Sequence, residues 1–90
     1  MIQLIWDAGF KRSYKKRIGP DAQLRQQFRD ALERFVEDPF ATELRTHKLT
    51  GKLSSCWAFS VDIDHRVVFM FLKGKSKVLL IDIGTHDEVY

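Results

Sequence analysis

The segment Val67–Leu72 consists of six consecutive apolar residues, and Val78–Ile81 is a second apolar run shortly after it. Runs of this length and composition are typical of strands that are covered on both faces. Gly74–Ser76, which lies between them, has the composition of a hairpin turn. We therefore predict two adjacent antiparallel strands inside a sheet, the second of which ends near Gly84.

Two earlier segments also have strand patterns. The alternation in Ile2–Trp6 indicates a strand with one well-buried face. Cys56–Asp62 is rich in aromatic and β-branched residues, and Ile63-Asp64 is expected to form the turn or bulge after it. These segments add two strands to the predicted hairpin.

The first strand is followed by an amphipathic helix that Asp7 is placed to cap. Gly19-Pro20 should end this helix, with Gly19 in left-handed backbone and Pro20 in the first turn of the next helix. The apolar stripe of the first helix comprises Phe10, Tyr14 and Ile18.

A second amphipathic helix ends at Asp38-Pro39, because proline lacks an amide donor and disfavours helical backbone before it. A mixed loop, Phe40–His47, follows. The order is therefore β-α-α-β-β-β, an α+β fold with two N-terminal helices packed on a mainly antiparallel sheet. At 90 residues the chain has room for one domain, residues 1–90. The apolar face of the second helix comprises Leu24, Phe28, Ala31, Leu32 and Phe35.

The sequence argues against several classes of protein. It has no run of about 18 apolar residues, and Met1–Asp7 is too short and polar for a signal peptide, so we expect a cytoplasmic protein without a membrane segment. Cys56 is the single cysteine, and its apolar surroundings indicate a core thiol. The spacing of the three histidines matches no zinc signature, so we expect neither a metal site nor a cofactor.

The first helix carries a dense basic cluster, although the net charge is only +3 and the pI about 9.2. Two interpretations remain open: a solvated helix face, or a phosphate-binding surface whose affinity falls steeply with salt. The cluster consists of Lys11, Arg12, Lys15, Lys16 and Arg17.

Chemically useful side chains gather at the ends of the predicted strands. Hairpin pairing should place Arg66 near His86. A base, a cation and an acid suffice to cleave RNA without metal, and histidine suits both proton transfers while arginine suits the phosphate. Tyr90 is able to stack on an unpaired base. The full group is His47, Lys52, Asp64, His65, Arg66, His86, Asp87 and Tyr90.

Each of these residues also has a purely structural interpretation. His65 is typical of a surface residue at a strand end. Arg66 and Lys52 would then be simple surface charges, and Asp64 would form the turn through a hydrogen bond from the backbone to its side chain. The pattern by itself does not decide between these interpretations.

Four segments, in this order, resemble the RelE/ParE superfamily of toxin–antitoxin toxins, and most of all its YafQ and YoeB ribonuclease branch. They are His47–Gly51, Trp57–Val61, Asp64–Phe69 and Ile83–Tyr90. The resemblance covers nearly the whole chain. It implies an mRNA interferase that enters the ribosomal A site, contacts mRNA and ribosomal RNA there, cuts the message, and is held inactive by a cognate antitoxin.

The resemblance also implies residue roles. His47, before the Leu-x-Gly motif, corresponds to the family's candidate general base, and Arg66 to the arginine aimed at the scissile phosphate. His86 corresponds to the C-terminal histidine proposed as general acid, and Tyr90 to a terminal aromatic residue. Asp64 corresponds to an acidic residue of one branch. The basic first helix would bind ribosomal RNA phosphates, with Lys11, Lys15 and Lys16 among its contacts.

Ser60 departs from the pattern, since several family enzymes have a basic residue or histidine there. Loss of one such group costs about 100-fold or more in rate, unless Lys52 compensates. Three functions stay open: a ribosome-dependent ribonuclease, a ParE-like inhibitor of DNA gyrase, and an RNA- or antitoxin-binding protein that no longer cuts. His47, Arg66 and His86 together favour the ribonuclease, whereas Ser60 is the main argument for the non-cleaving protein.

Overall fold

The computed structural model describes residues 2–90, so Met1, the first residue of the predicted domain, lies outside the described part. Five strands form one mixed sheet: β1 (Gln3–Trp6), β2 (His47–Lys48), β3 (Trp57–Ser60), β4 (His65–Leu72) and β5 (Lys77–Thr85). Their order across the sheet is β1-β5-β4-β3-β2. Strand β1 is parallel to β5, and all other neighbours are antiparallel.

Three helices accompany the sheet: α1 (Ala8–Arg17), α2 (Ala22–Glu37) and the short α3 (His86–Val89). Single 3-10 turns occur at Thr42–Leu44 and Gly51–Leu53. The α+β prediction is confirmed, but the predicted order lacks β2 and α3. These elements have two and four residues, which is too short for a hydrophobic period to reveal. None of the helices in the described residues is long and apolar enough to span a membrane.

The helices cover one face of the sheet with the predicted apolar stripes. Phe10 of α1 and Ile18, the C-cap residue of that helix, are fully buried, and Phe35 of α2 stacks on Phe59 at 4.5 Å between ring centroids. Phe35 also meets Phe69 edge-on at 4.9 Å. This aromatic contact fastens α2 to β3 and β4, so the positions of those two strands are set by the core.

Strand β4 is covered on both faces, as predicted. Val67, Val68 and Phe69 are consecutive and only 0%, 2% and 0% exposed. Val67 and Phe69 belong to the core beneath the helices, so Val68 points to the opposite face. We call that opposite side, turned away from α1 and α2, the outer face.

The connection between α1 and α2 differs from its prediction. Asp7 caps α1 as expected, but Gly19 does not have left-handed backbone. Glycine is required there because a Cβ atom would lie 2.8 Å from the carbonyl oxygen of Lys15. Helix α2 is capped by Asp21, so Pro20 precedes the cap and does not lie in the first turn.

Candidate functional site

The antiparallel pairing of β4 with its neighbours places Arg66 at the centre of a row of small residues. Arg66 lies opposite Gly84 of β5 on one side and opposite Ser60 of β3 on the other. His86 follows Gly84 by two residues, at the start of α3. The structure therefore brings Arg66 to the strand end from which His86 emerges.

His47 lies on the same side of the sheet. It pairs with Ala58, which precedes Ser60 by two residues on β3. Because side chains alternate along a strand, Ala58, Ser60 and Arg66 all belong to the outer face, opposite the core residue Phe59. The outer face thus carries both His47 and Arg66.

A groove of about 610 Å³ opens beside His47, and Tyr90 forms part of its wall. The ring of Tyr90 meets the imidazole of His86 edge-on, with 4.6 Å between centroids. Burial raises the pKa of Tyr90, and the positive charge of Arg66 partly offsets that rise. Tyr90 thus adjoins His47 and His86 and is within electrostatic reach of Arg66. The groove, called here the Tyr90 groove, is lined by His47, Lys48, Leu49, Thr50, Lys52, Leu53 and Tyr90.

The backbone fixes the tautomer of His47. Its Nδ1 lies 3.0 Å from the carbonyl oxygen of Arg45. Because a carbonyl oxygen only accepts, Nδ1 carries the proton, and in the neutral ring Nε2 keeps its lone pair. His47 is exposed, so Nε2 is available to take a proton from a bound molecule.

His86 is held less tightly, with a side chain 65% exposed. Its Nδ1 lies 3.5 Å from a carboxylate oxygen of Asp87, at the limit of a hydrogen bond. The edge-on contact with Tyr90 is therefore the main restraint on the ring.

Arg45 is a candidate site residue that the sequence alone did not indicate. It follows the 3-10 turn at Thr42–Leu44 and adopts left-handed backbone, with φ 51° and ψ 38°. This conformation directs the chain into β2 and brings Arg45 to a cavity of about 230 Å³ that Arg66 also lines. Only the pairing of β2 with β3 brings the two arginines together, so no local signal singles out Arg45. This cavity, the arginine pocket, is lined by Glu43, Arg45, Ser60, Val61, Asp62, Ile63 and Arg66.

The turn between β3 and β4 is built by Asp62, which corrects the interpretation of Asp64 as turn former. The Asp62 carboxylate accepts hydrogen bonds from the backbone amides of Asp64 at 2.9 Å and His65 at 2.7 Å, and contacts His65 Nδ1 at 3.0 Å. Burial opposes ionisation of Asp62, but these bonds outweigh it and lower its pKa. His65 is partly buried, with a side chain 20% exposed, and its contact with Asp62 makes it part of the turn. Asp64 is exposed and lines neither cavity.

The basic cluster of α1 divides into two parts. Lys11, Lys15 and Lys16 are exposed, whereas Arg17 folds back onto β5. Arg17 Nη1 donates to Asp82 Oδ1 at 3.2 Å and to a backbone carbonyl of β5 at 3.0 Å. Arg17 is therefore a structural residue and not part of a free cationic surface.

Arg17 also reaches α3. Its Nε lies 3.6 Å from Glu88 Oε2, and Glu88 Oε1 accepts the backbone amide of Thr85 at 2.7 Å. The bond from Thr85 is the main cause that lowers the pKa of Glu88, with a further contribution from the charge of Arg17. Gly84 leaves room for this contact, since a Cβ atom there would lie 2.7 Å from Glu88 Oε1. The helix that carries His86 is thus fastened to α1.

Within residues 2–90, no three His, Cys, Asp or Glu side chains are grouped so as to hold a metal ion. Cys56 is buried, as predicted for a core thiol.

No family model and no curated protein matches the sequence. Solved structures match over nearly the whole chain. A YoeB/ParE toxin from Agrobacterium tumefaciens is 20% identical, with 94% of this chain and 99% of that chain covered and a TM-score of 0.78. YafQ from E. coli is 16% identical, with 100% and 99% covered and a TM-score of 0.71. A YoeB–YefM complex from Staphylococcus aureus is 11% identical, with 96% and 98% covered and a TM-score of 0.74. The chain has the fold of RelE/ParE-superfamily toxins.

Proposed function

We propose that this chain, with the fold of the YoeB and YafQ toxins, is the toxin of a toxin–antitoxin module and cleaves mRNA on the translating ribosome without a metal ion. The observation that carries the proposal is the position of Tyr90. Its ring shares a groove with His47, contacts the ring of His86 at 4.6 Å, and is within reach of the charge of Arg66. A base, an acid and a phosphate-binding cation therefore surround one exposed aromatic ring.

Each residue has one role in the proposed reaction. His47 Nε2 takes the proton from a ribose 2′-hydroxyl, and the freed oxygen attacks the adjacent phosphorus. Arg66 neutralises the charge that grows on the phosphoryl oxygens. His86 gives a proton to the leaving 5′-oxygen, so the products carry a 2′,3′-cyclic phosphate and a 5′-hydroxyl. Tyr90 stacks on an unpaired base and holds the strand in place.

Lys52 and the exposed lysines of α1 are proposed to bind phosphates. Lys52 lines the Tyr90 groove, where it meets the RNA strand itself. Lys11, Lys15 and Lys16 line neither cavity and are better suited to ribosomal RNA. Asp64 lines neither cavity, so its proposed contact with RNA is supported by the family resemblance alone.

The proposed regulator is a cognate antitoxin, because the similar YoeB of Staphylococcus aureus was solved in complex with YefM. We place both proteins in the cytoplasm, where ribosomes and message meet. No cofactor is proposed.

The decisive experiment adds the purified chain to a translation reaction and maps the new 5′ ends on the message. We expect cuts that require active ribosomes, carry 5′-hydroxyl ends, and vanish in His86→Ala and Arg66→Ala. Arg29→Ala is the matched control, because Arg29 is an exposed arginine on α2, away from the outer face. A message with a 2′-deoxyribose at the cut position should resist cleavage there.

Other outcomes would point to the remaining functions. If folded wild type makes no cuts but blocks supercoiling by DNA gyrase, the chain is a gyrase inhibitor. If it does neither but binds ribosomes, it is a non-cleaving relative. Cuts that persist in both variants would remove His86 and Arg66 from the site.

The role of α1 has its own test. Reversal of charge at Lys11, Lys15 and Lys16 should weaken ribosome binding and flatten its salt dependence. Arg17 must stay intact in that variant, since it fastens α1 to β5 and α3. Unchanged ribosome affinity would refute this role of the helix.

A further inference from the structure

The arginine pocket contains two cations and two acids, but only the acids have partners. Glu43 forms an ion pair with Arg34, and Asp62 accepts the three contacts from the β3–β4 turn described above. Among residues 2–90, neither Arg45 nor Arg66 has a carboxylate within ion-pair distance. Both carboxylates are thus engaged by other groups, and the guanidinium groups of Arg45 and Arg66 are available to bind an anion.

Ser60 keeps the pocket open. Ser60 is the direct neighbour of Arg66 across the β3–β4 pair, and side chains in such positions stand about 5 Å apart. A lysine or histidine at this position would fill the space between the two arginines. With serine, the cavity keeps a volume of about 230 Å³, far more than the roughly 10–15 Å³ that a single water molecule needs. One phosphate group with some bound water fits this volume.

Arg45 also connects the pocket to His47. The backbone carbonyl of Arg45 accepts the Nδ1 proton of His47 at 3.0 Å, while its side chain lines the arginine pocket. Arg45 therefore lines the arginine pocket with its side chain and contacts, with its backbone, the imidazole proposed as general base. Attack by a 2′-hydroxyl on its own neighbouring phosphate requires a base and a phosphate-binding cation that are close together, and Arg45 connects the two in this chain.

We propose that Arg45 and Arg66 together bind one phosphodiester group of single-stranded RNA, and that Arg45 supplies the cation that Ser60 does not. This inference rests on the proposed function, since it takes the phosphate to be the one that is cleaved. It also predicts that Ser60 is compatible with cleavage, because the charge on the phosphate is still shared by two guanidinium groups.

The first test measures binding without cleavage. A short single-stranded RNA in which every ribose is 2′-O-methylated has no attacking hydroxyl, and its affinity is measured by fluorescence anisotropy over a series of salt concentrations. Arg45→Gln should lower the affinity roughly tenfold or more at low salt and reduce the slope of log K against log salt by about 0.7, the value for one lost phosphate contact. Arg29→Gln, the exposed control on α2, should change neither quantity. An Arg45→Gln slope equal to wild type, or no salt-dependent binding by wild type, would overturn the proposal.

The second test uses dimethyl phosphate, a small phosphodiester, with the folded wild-type chain. Its addition should shift the side-chain Nε–H resonances of Arg45 and Arg66 together, and Ser60→Leu, which fills the pocket, should abolish both shifts. Shifts at Arg66 alone would overturn the two-arginine site. The two proposals fail in different ways. Arg45-dependent binding without cleavage of any translated message would refute the ribonuclease and leave a phosphate-binding site of two arginines, whereas normal cleavage by Arg45→Gln would refute this inference and leave the ribonuclease.

Discussion

Replacement of Arg17 by alanine should destabilise the protein more than any other change in the basic cluster of α1. The Arg17 side chain is only 24% exposed and donates to Asp82 at 3.2 Å and to the Ile83 carbonyl at 3.0 Å. The substitution also removes the cation 3.6 Å from Glu88. The α1 end, β5 and α3 would lose their shared connection.

The magnitude follows from these three contacts. A hydrogen bond to a charged group contributes about 1.5–3 kcal/mol, and the carbonyl bond about 1 kcal/mol. The pair with Glu88 adds little, because Glu88 is 40% exposed and the distance exceeds that of a hydrogen bond. Since water reaches part of the vacated site, we expect a loss of about 2–3 kcal/mol in the free energy of unfolding. For a chain of this size that lowers Tm by about 10–20 °C.

Thermal and urea unfolding of Arg17→Ala, followed by circular dichroism, measures this loss. Lys16→Ala is the control, because Lys16 is the exposed neighbour on the same helix and should change stability by less than about 0.5 kcal/mol. Arg17→Lys keeps the positive charge but lacks the planar guanidinium group, so its loss of stability should be smaller than that of Arg17→Ala and larger than that of Lys16→Ala. Equal stabilities for Arg17→Ala and Lys16→Ala would refute the structural role of Arg17.

Three further predictions follow from the packing and the pKa shifts. In a Tyr14→Phe background, where Tyr90 is the remaining tyrosine, ultraviolet titration should give Tyr90 a pKa above its ordinary 10.0. Arg66→Gln should raise the pKa of Tyr90 further, because a cation that favours the phenolate is lost. If Arg66→Gln leaves the pKa of Tyr90 unchanged, Arg66 is not close to Tyr90. The pKa of Glu88 in the folded protein is lowered from its ordinary 4.5, so the ionised carboxylate stabilises the fold above pH 4.5 and loses this effect as the pH falls through the lowered pKa. The Thr85 amide resonance should shift over the same acid range, and Glu88→Gln should abolish that shift. Phe35→Ala should cost about 3–5 kcal/mol in urea unfolding, since Phe35 is fully buried between two aromatic rings; a loss below about 1 kcal/mol would argue against this core.

The long elements were predictable because each has a face that must be buried. In α1 and α2 the apolar residues recur at the helical period, and β4 has three consecutive buried residues, so residue pattern and burial agree. Strand β2 and helix α3 form because of contacts with distant parts of the chain. The two residues of β2 exist through pairing with β3, and α3 is held by its capping box and by Arg17. Elements that depend on distant partners leave no period in their own sequence.

In the candidate site, too, some positions could be predicted from the sequence and others could not. His86 could be placed near Arg66 because a hairpin fixes which residues are opposite each other. Arg45 could not be placed, since its approach to Arg66 depends on a left-handed residue at the end of a 3-10 turn. Arg17 looked like one more cation of α1, and its partner Asp82 lies 65 residues further along the chain. Charge counts along a helix do not separate a structural cation from a binding one.

The difference between the two faces of the sheet explains how so small a chain combines stability with an open site. Helices α1 and α2 bury the large aromatic residues on one face, and that core determines where β3 and β4 lie. On the outer face the positions beside Arg66 hold Ser60 and Gly84, which have little or no side chain. A larger residue at Gly84 would displace Glu88 and with it α3, and a larger one at Ser60 would close the arginine pocket. In the proposed function, small residues at these two positions are therefore the condition under which His86, Arg66 and Arg45 reach the same RNA strand.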